Sequence, residues 1–584
     1  MPDAPTSDLR LLAGFLRPER RKVGALVTLL VIARLLPLAG PLVLARFVDS
    51  AASRRPTGVL LGLAGAYLAI AVVAEVLLLA VTWGAVEVAW RAGNRLRERL
   101  AAHALRLDLP WHASHAPGVL IERVDGDVEA VTRFTGSAVA DLVGNAVLVA
   151  GALVVSVAID WRAGAAVVLV TASAVAALAG LRSLGVPASD ARREVESKLY
   201  GDVEERLGGI EDLRANGAGG YGVHRLLVHS AALWRAQRRE AVRIDAGYAV
   251  AGVVHALGTA AVVGLAVALE RRGAISLGSI LALARYVQLV RRPLEQVAEQ
   301  LQEMQKAAAG LRRTARLLGE RPSIVDGPGP APGAGALTVE LDGVTFAYER
   351  GGKPAMRDVT LRIPAGAVLG VVGRTGSGKT TLGRLMARLW DVDDGAVRLG
   401  GVDVRDVPLA DLRRHIAVVT QDVELFRASV RDNVTLFGAL VADDERLRTV
   451  LGDVGLGEWL ARLPGGLDED LAGADRLSAG QAQLLALARA FLADPGVVVL
   501  DEASSRLDPA TEARLVEATD RLLSGRTAVV VAHRLATLDR ADLIAVVDDG
   551  AVVEWGPREA LAADPSSRFA ARASAGTALL GDHP

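Results

Sequence analysis

Long apolar runs fill the first half of the chain, and short strand-like runs alternating with helix-like ones fill the second. A helix needs roughly 20 mostly apolar residues to cross a bilayer. Six stretches meet that need: 23–48, 57–89, 136–159, 163–186, 245–269 and 275–297. The fourth and sixth are interrupted by Gly, Pro or Arg. Ahead of them, the apolar-rich Leu9 to Leu16 is followed by Arg17, Arg20, Arg21 and Lys22, the pattern of a helix lying in the membrane interface. The connections after the first, third and fifth stretches are short. Those after the second and fourth are long and charged but keep a helical apolar period, so they are predicted to be extensions of the spans beyond the bilayer.

Basic residues are distributed unequally over these connections. The long ones carry Arg91, Arg95, Arg97, Arg99, Arg106, Arg123 and Arg133, then Arg192, Arg193, Lys198, Arg206, Arg214, Arg235, Arg238, Arg239 and Arg243. The short ones carry only Arg54, Arg55, Arg162, Arg271 and Arg272. The positive-inside rule therefore predicts a cytoplasmic N-terminus, cytoplasmic long connections and a cytoplasmic second half. Six such runs argue against core helices of a soluble protein. The net charge of −1 over 584 residues gives no basic signal for a nucleic-acid partner, and the lipid bilayer is the partner the composition implies. The chain has no cysteine, which excludes disulfides, thiolate metal sites and cysteine nucleophiles. No cleavable signal peptide is expected, because the first long apolar run begins after Lys22. Abundant Ala, Arg and Gly with scarce Lys suggest a GC-rich bacterial genome, and so a multi-pass protein of the bacterial plasma membrane.

Residues 321–336 form a Pro/Gly linker. Strand-like runs follow at Leu337–Phe346, Val368–Val372, Ile416–Thr420, Val497–Leu500, Ala528–Val531 and Leu543–Val547. The predicted fold is multidomain: an all-α transmembrane domain of six long helices, then a phosphate-loop α/β nucleotide-binding domain with a mainly parallel sheet. The plan is an interfacial helix over 1–22, the transmembrane domain over 23–320, the linker, the nucleotide-binding domain over 337–577 and a tail over 578–584.

The strand Val368–Val372 runs into Gly373, Arg374, Thr375, Gly376, Ser377, Gly378, Lys379 and Thr380, with a helix expected from Thr381. This strand–loop–helix order is the context a phosphate-binding loop requires. Its glycines let backbone N–H groups turn inward around a phosphate, at a helix N-terminus whose dipole favours anions. Lys379 would reach the β- and γ-phosphates, and the Thr380 hydroxyl would bind Mg²⁺. A second apolar strand, Val497–Leu500, ends in Asp501 and Glu502. Asp501 suits the Mg²⁺ shell, and Glu502 suits a general base orienting the attacking water.

Between these segments lies Leu477-Ser478-Ala479-Gly480-Gln481. With it, nearly the whole chain resembles an ATP-binding-cassette exporter half-transporter with a type IV membrane domain. The resemblance implies ATP and Mg²⁺ as ligands and further roles at matching positions. Tyr348 would stack on adenine. Gln421 would touch Mg²⁺ and the water. Ser478, Gly480 and Gln481 would bind the γ-phosphate of ATP held by another cassette. Asp508 lies in the loop after the catalytic glutamate, and His533 would contact the γ-phosphate. Because that signature acts in trans, and six spans are half of the family's twelve, the resemblance implies a dimer with a second half-transporter.

Some positions depart from the family pattern. Ala479 stands where glycine is usual, and its methyl is expected to restrict the backbone and crowd close approach. Ala482 and Leu484 stand where arginines are common. Residues 471–476 lack the glutamate usual near Gly473, and Arg506 replaces a small residue. Glu502 and His533 are intact, so the expected partner is a different subunit with an intact signature; drift in a homodimer is the alternative.

Inside the spans, Arg34 and Glu75 lie at similar depth and are expected to pair, or else to line a polar cavity with Arg285, Asp141 and Asn145. Asp125–Phe134 and Asp212–Gly219 are expected to couple the membrane domain to the cassettes. The expected function is ATP-driven export of a small molecule, lipid or peptide by alternating access, with the substrate not readable. Import through the same fold, of the siderophore or vitamin type, is the alternative. A soluble cassette protein acting on nucleic acid is disfavoured by the spans, and a peptidase-coupled exporter by the absence of cysteine.

Overall fold

The computed structural model describes residues 13–349, 351–471, 477–501, 509–532 and 535–574. They form two compact units. One takes the chain up to Leu105 and again from Pro117 to Glu320; the other takes Arg106–Ala116 and the chain from Arg321.

The first unit is a helical bundle. α1 (Arg20–Leu35) and α2 (Ala39–Ala52) are parted by a short tight turn at Leu36–Leu38. Pro37 lies in that turn and has no N–H to offer the preceding helix. α3 (Thr57–Ala104) follows, then, after the segment that leaves for the second unit, α5 (Asp127–Arg133) and α6 (Val139–Ile159). α7 (Trp161–Gly208), the short α8 (Ile210–Ala215), α9 (Gly219–Arg271) and α10 (Leu277–Gly319) complete the bundle. Helix starts are set by side-chain caps: Asp160 accepts from Arg162 N (2.8 Å) and Ala163 N (3.2 Å), and Ser276 accepts from Ser279 N (3.2 Å).

Four helical stretches among the described residues are long and apolar enough to cross a membrane: Ala13–Ala52, Thr57–Ala104, Pro117–Ile159 and Gly219–Arg271. The two expected spans outside this set are the interrupted ones. Among the described residues α7 gives a shorter apolar stretch, Trp161–Ala177, and it contains Pro187; α10 contains Arg285, Arg291, Arg292 and Pro293. Both are nonetheless continuous helices. α10 packs on α2, α5, α6, α7 and α9, with Tyr286 and Pro293 buried while Arg285, Arg291 and Arg292 stay exposed. The 48 residues of α3 and of α7 span about 72 Å at 1.5 Å per residue, against a hydrocarbon core of about 30 Å, so both run well past it.

Close backbone approach and polar pairs lock the helices. At Gly278 a side-chain carbon would sit 2.1 Å from Ala45 O, so α10 meets α2 where only glycine fits. The Asp49 carboxylate at the end of α2 accepts from Gly278 N (2.7 Å) and the Ser276 hydroxyl (2.6 Å). The buried Tyr286 donates to Leu38 O (2.5 Å), and Asn145 Nδ2 donates to Gln296 Oε1 (2.9 Å).

Arg34 does not pair with Glu75. Its Nη2 meets Asp141 Oδ1 at 3.3 Å, because α1 turns this side chain toward α6, while Glu75 is exposed on α3. Gly144 makes room for the guanidinium, since a side-chain carbon there would lie 2.6 Å from Arg34 Nε. Arg285 is exposed and donates to Gln288 Oε1 within its own helix (3.3 Å).

The second unit begins with α4 (Leu109–Ala113). Asp108 caps it through Trp111 N (3.2 Å), and its other oxygen accepts from Ile324 N (2.9 Å), the Ser323 hydroxyl (2.6 Å) and Ser323 N. The part of the first long connection that joins this unit is therefore 106–116, not Asp125–Phe134, which packs through Val131 and Phe134 on Ala307 and Leu311 of α10. α8 covers the first half of the other expected coupling segment, lies in the first unit and has no buried residue.

The rest of the second unit holds two sheets. β1 (Val339–Phe346), β2 (Met356–Ile363), β4 (Asp394–Leu399) and β5 (Val402–Asp403) form an antiparallel sheet in the order β2-β1-β4-β5. β3 (Val368–Val372), β6 (Ile416–Val419), β7 (Val497–Asp501), β8 (Thr527–Val531), β9 (Leu543–Asp548) and β10 (Ala551–Pro557) form the other, in the order β10-β9-β3-β8-β7-β6. Only β10 is antiparallel in it. Val368 and Val372 face one hydrophobic core and Leu369 and Val371 the other, which explains why β3 reads as an unbroken apolar run.

One buried ion pair anchors α5 to α10. Asp127 is 4% exposed and takes a two-pronged contact from Arg313, with Nε at 2.9 and 3.1 Å and Nη2 on the same carboxylate. The Arg313 side chain is 47% exposed, so the two partners differ in what they lose when the pair is broken. Arg313→Met leaves a buried carboxylate unpaired and is expected to destabilise by roughly 3–5 kcal/mol. Asp127→Asn frees an arginine that can rehydrate and should cost less. Thermal unfolding in detergent should rank Arg313→Met below Asp127→Asn, with the double variant recovering most of the difference.

Candidate functional site

The phosphate-loop sequence leaves the centre of the parallel sheet. β3 lies between β9 and β8, and Gly370 pairs with Ile544 on one side and Val530 on the other. The loop then turns over the sheet's edge into α11 (Lys379–Met386). Two glycines are forced by space. At Gly373 a side-chain carbon would lie 2.3 Å from Val547 O, and at Gly378 it would lie 2.7 Å from Ala355 O, with φ at +108°. Gly376 also has positive φ, at +78°.

Lys379 is the first residue of α11 and is 6% exposed. Its Nζ folds back to donate to Gly373 O (2.9 Å) and Arg374 O (2.9 Å). Burial pushes its ammonium pKa below the ordinary lysine value; the Asp501 carboxylate opposes that shift and Arg572 adds to it. A buried cation held only by carbonyls at the start of a helix suits a polyanion. The Ser377 hydroxyl beside it is buried without a partner.

Parallel strands deliver the other side chains to the same edge. Asp501 ends β7 and pairs in register with Val531 at the end of β8, while Val419 at the end of β6 pairs with Leu500. A cleft of about 420 Å³ opens there, lined by Thr380, Arg384, Gln421, Asp422 and Asp501 among others. Asp501 Oδ1 is buried and has no partner. A buried carboxylate oxygen left open beside a threonine hydroxyl and a glutamine amide is an oxygen-rich donor set that fits a hard divalent cation such as Mg²⁺.

Tyr348 follows β1 and reaches the first turn of α11, its hydroxyl 3.0 Å from Thr381 Oγ1. Its ring meets Phe346 and Trp390 edge-on, with centroids 4.9 and 5.4 Å away. Arg384 donates to the Tyr348 hydroxyl (3.3 Å) and lies over the Trp390 ring (5.4 Å). Sequence reasoning missed Arg384, although a cation one helical turn beyond Thr380 was there to be seen.

The structure thus brings Lys379, Thr380, Gln421 and Asp501 to one edge, with Tyr348 beside them. Glu502, Asp508, His533 and Arg506 lie outside the described residues, as do residues 472–476. The signature segment opens a different helix, α12 (Ala479–Ala493). Ser478 caps it by accepting from Gln481 N (3.2 Å), and Gln481 Oε1 accepts in return from Ser478 N (2.9 Å). Ala479 is the first residue of that helix and Gly480 is buried. Helical angles suit alanine, so the expected backbone restriction has no effect here, and the exposed methyl meets only what approaches from outside. Leu484 is 1% exposed in the core, where arginine would be desolvated, so this departure is a packing residue.

Comparisons with known proteins agree with this architecture. The family described as ABC transporter transmembrane region matches residues 23–294, and the one described as ABC transporter matches residues 356–505. A multidrug efflux ATP-binding/permease protein of Mycobacterium bovis is 34% identical over 501 residues, covering 83% of this chain but only 41% of that protein. An uncharacterized ABC transporter ATP-binding protein of Bacillus subtilis is 29% identical over 93% of this chain and 90% of its own length. An ATP-dependent lipid A-core flippase of Chromohalobacter salexigens is 31% identical over 82% of this chain and 83% of its own length. With a membrane region and a nucleotide-binding domain of one family joined in that order, and a relative above 30% identity matched over most of its length, this chain belongs to the ABC transporters.

Proposed function

We propose that the chain is one half of an ATP-driven exporter of the bacterial plasma membrane, with its N-terminus, long helical extensions and nucleotide-binding domain in the cytoplasm. The observation that carries this reading is the meeting of Lys379, Thr380, Gln421 and the unpartnered Asp501 oxygen at one sheet edge, in a chain that also holds a membrane bundle. In this role Lys379 leaves its two loop carbonyls to hold the β- and γ-phosphates, and the loop's N–H groups close around them. Thr380, Gln421 and Asp501 would hold Mg²⁺, which supplies charge neutralisation on the phosphate oxygens. Glu502 orients and deprotonates the attacking water, His533 contacts the γ-phosphate, and Tyr348 stacks on the base. Asp508 belongs to the loop after Glu502. The relatives' names, multidrug efflux and lipid A-core flippase, favour an amphipathic cargo among the small molecules, lipids and peptides considered.

The working unit contains two such halves. Ser478, Gly480 and Gln481 open α12 rather than the Lys379 site, so they serve a phosphate brought by another cassette. The mycobacterial relative, of which this chain spans 41%, has the length for two halves in one chain and supports the same count. The exposed Ala479 methyl, felt only by an approaching partner, favours a different subunit with an intact signature over a second copy.

Two measurements test the proposal. Lys379→Ala should lower ATP-dependent transport into inside-out vesicles by at least about 100-fold. Glu502→Gln should lower turnover by ~10²–10⁴-fold while ATP binding persists. ATP-dependent loss of cargo from such vesicles, instead of uptake, would make the chain an importer. The chain purified alone is expected to hydrolyse ATP slowly; robust drug-stimulated turnover without a second subunit would establish a homodimer instead.

A further inference from the structure

The end of the membrane unit that carries the long charged extensions contains a narrow apolar slot of about 80 Å³. α1, α3 and α6 wall it through Val23, Val27, Leu30, Val81, Ala85 and Val143. Thr135 also lines it, but its hydroxyl is already taken by Val131 O (2.9 Å) and Thr132 O (3.1 Å). A slot whose one side-chain hydroxyl already donates its proton offers water a single acceptor at most, too few partners to hold it, and favours an apolar occupant. From Val23 to Leu30 it follows α1 for about 10 Å, the dimension of the upper part of an acyl chain.

The mouth has the opposite character. Leu16 and Val23 line the slot, and the chain between them carries Arg17, Arg20, Arg21 and Lys22. Glu19 is taken by Arg95 and by Lys22 (3.7 Å), and Glu87 by Arg91. Among the described residues Arg17, Arg20 and Arg21 are exposed and have no carboxylate partner. Three uncompensated guanidiniums thus sit beside an apolar slot at one end of the membrane spans.

We propose that this slot is a site for an anionic phospholipid of the surrounding bilayer, distinct from the transported cargo. The headgroup phosphate lies on Arg17, Arg20 and Arg21, and one acyl chain enters between α1, α3 and α6. The charge excess selects anionic over zwitterionic headgroups, and the apolar walls select a chain over a free phosphate. The bound lipid would brace α1 against α3 and α6, next to the Arg34–Asp141 pair. The inference rests on the membrane reading above.

Native mass spectrometry of the full-length protein in detergent, titrated with phosphatidylglycerol or phosphatidylcholine, tests it. The wild type should retain phosphatidylglycerol in preference to phosphatidylcholine. Arg17→Gln/Arg20→Gln/Arg21→Gln should lower phosphatidylglycerol occupancy at least about tenfold and abolish the preference. Ala85→Phe and, separately, Val27→Phe should remove the adduct by filling the slot from two different helices. A folding defect would show in the melting temperature of one but is not expected in both. Equal retention of the two lipids by the wild type, or an adduct indifferent to both slot-filling variants, would overturn the proposal. So would an adduct that forms only after removal of residues 1–12, which would make that segment the occupant, or one depleted by ATP turnover, which would make the lipid cargo. Protein recovered from lysed cells without detergent would defeat the membrane reading itself; protein that needs detergent yet shows no lipid preference defeats only the slot.

Discussion

A bilayer core offers no water to an unpaired backbone group, and much of this chain follows from that. A helix closes its own N–H and C=O groups, so the first unit is built of helices, and a helix once started can continue past the lipid. α3, α7 and α9 do so. Some polar groups caught inside the bundle are paired as well: Arg34 Nη2 meets Asp141, Tyr286 donates to Leu38 O, and Asn145 Nδ2 donates to Gln296. A second ion pair, between Asp127 and Arg313, ties α5 to α10. Glycine at 278 and at 144 lets backbone or guanidinium come close where an ordinary side chain would collide.

In the second unit the governing constraint is steric. A phosphate can be wrapped by backbone N–H groups only where the chain turns with no side chain in the way. Gly373 and Gly378 provide that turn against Val547 O and Ala355 O, which belong to the neighbouring chain segments. Because β3, β6, β7 and β8 run parallel, their carboxyl ends share one edge, and whatever follows each strand is delivered there. Sheet topology, rather than proximity in sequence, brings Gln421 and Asp501 to Thr380.

What could be read from the sequence divides along the same physical line. β3 and β7 were legible because strands buried on both faces are written as unbroken apolar runs, and the loop was legible because its glycines are obligatory. The partner of Arg34 was not, since depth along a span does not say which of two neighbouring helices a side chain turns toward. α4 was not anticipated from the sequence. Asp108 two residues before Pro110 is a readable helix start, but its bonds to Ser323 and Ile324 join parts of the chain more than 200 residues apart. Of the two effects expected of Ala479, backbone restriction does not arise, because the first residue of a helix is a position alanine fills well, while crowding of close approach belongs to the proposal.

The signature segment shows why a complete catalytic unit exceeds one chain under the proposed function. Ser478 Oγ and Gln481 Oε1 each accept a hydrogen bond from the other's backbone, so the helix start is internally settled as an acceptor site. What remains is donor capacity: the Ser478 hydroxyl proton, the Gln481 side-chain amide and the first N–H groups of α12, all of one electrostatic sense. At the other site Lys379, at the start of α11, donates to two loop carbonyls, and the Ser377 hydroxyl in the loop before it is a donor without a partner. Both sets call for anionic oxygen, and neither can satisfy the other. Under the proposed function a nucleotide between two chains would satisfy both at once, and ATP would then be part of the interface as well as the fuel.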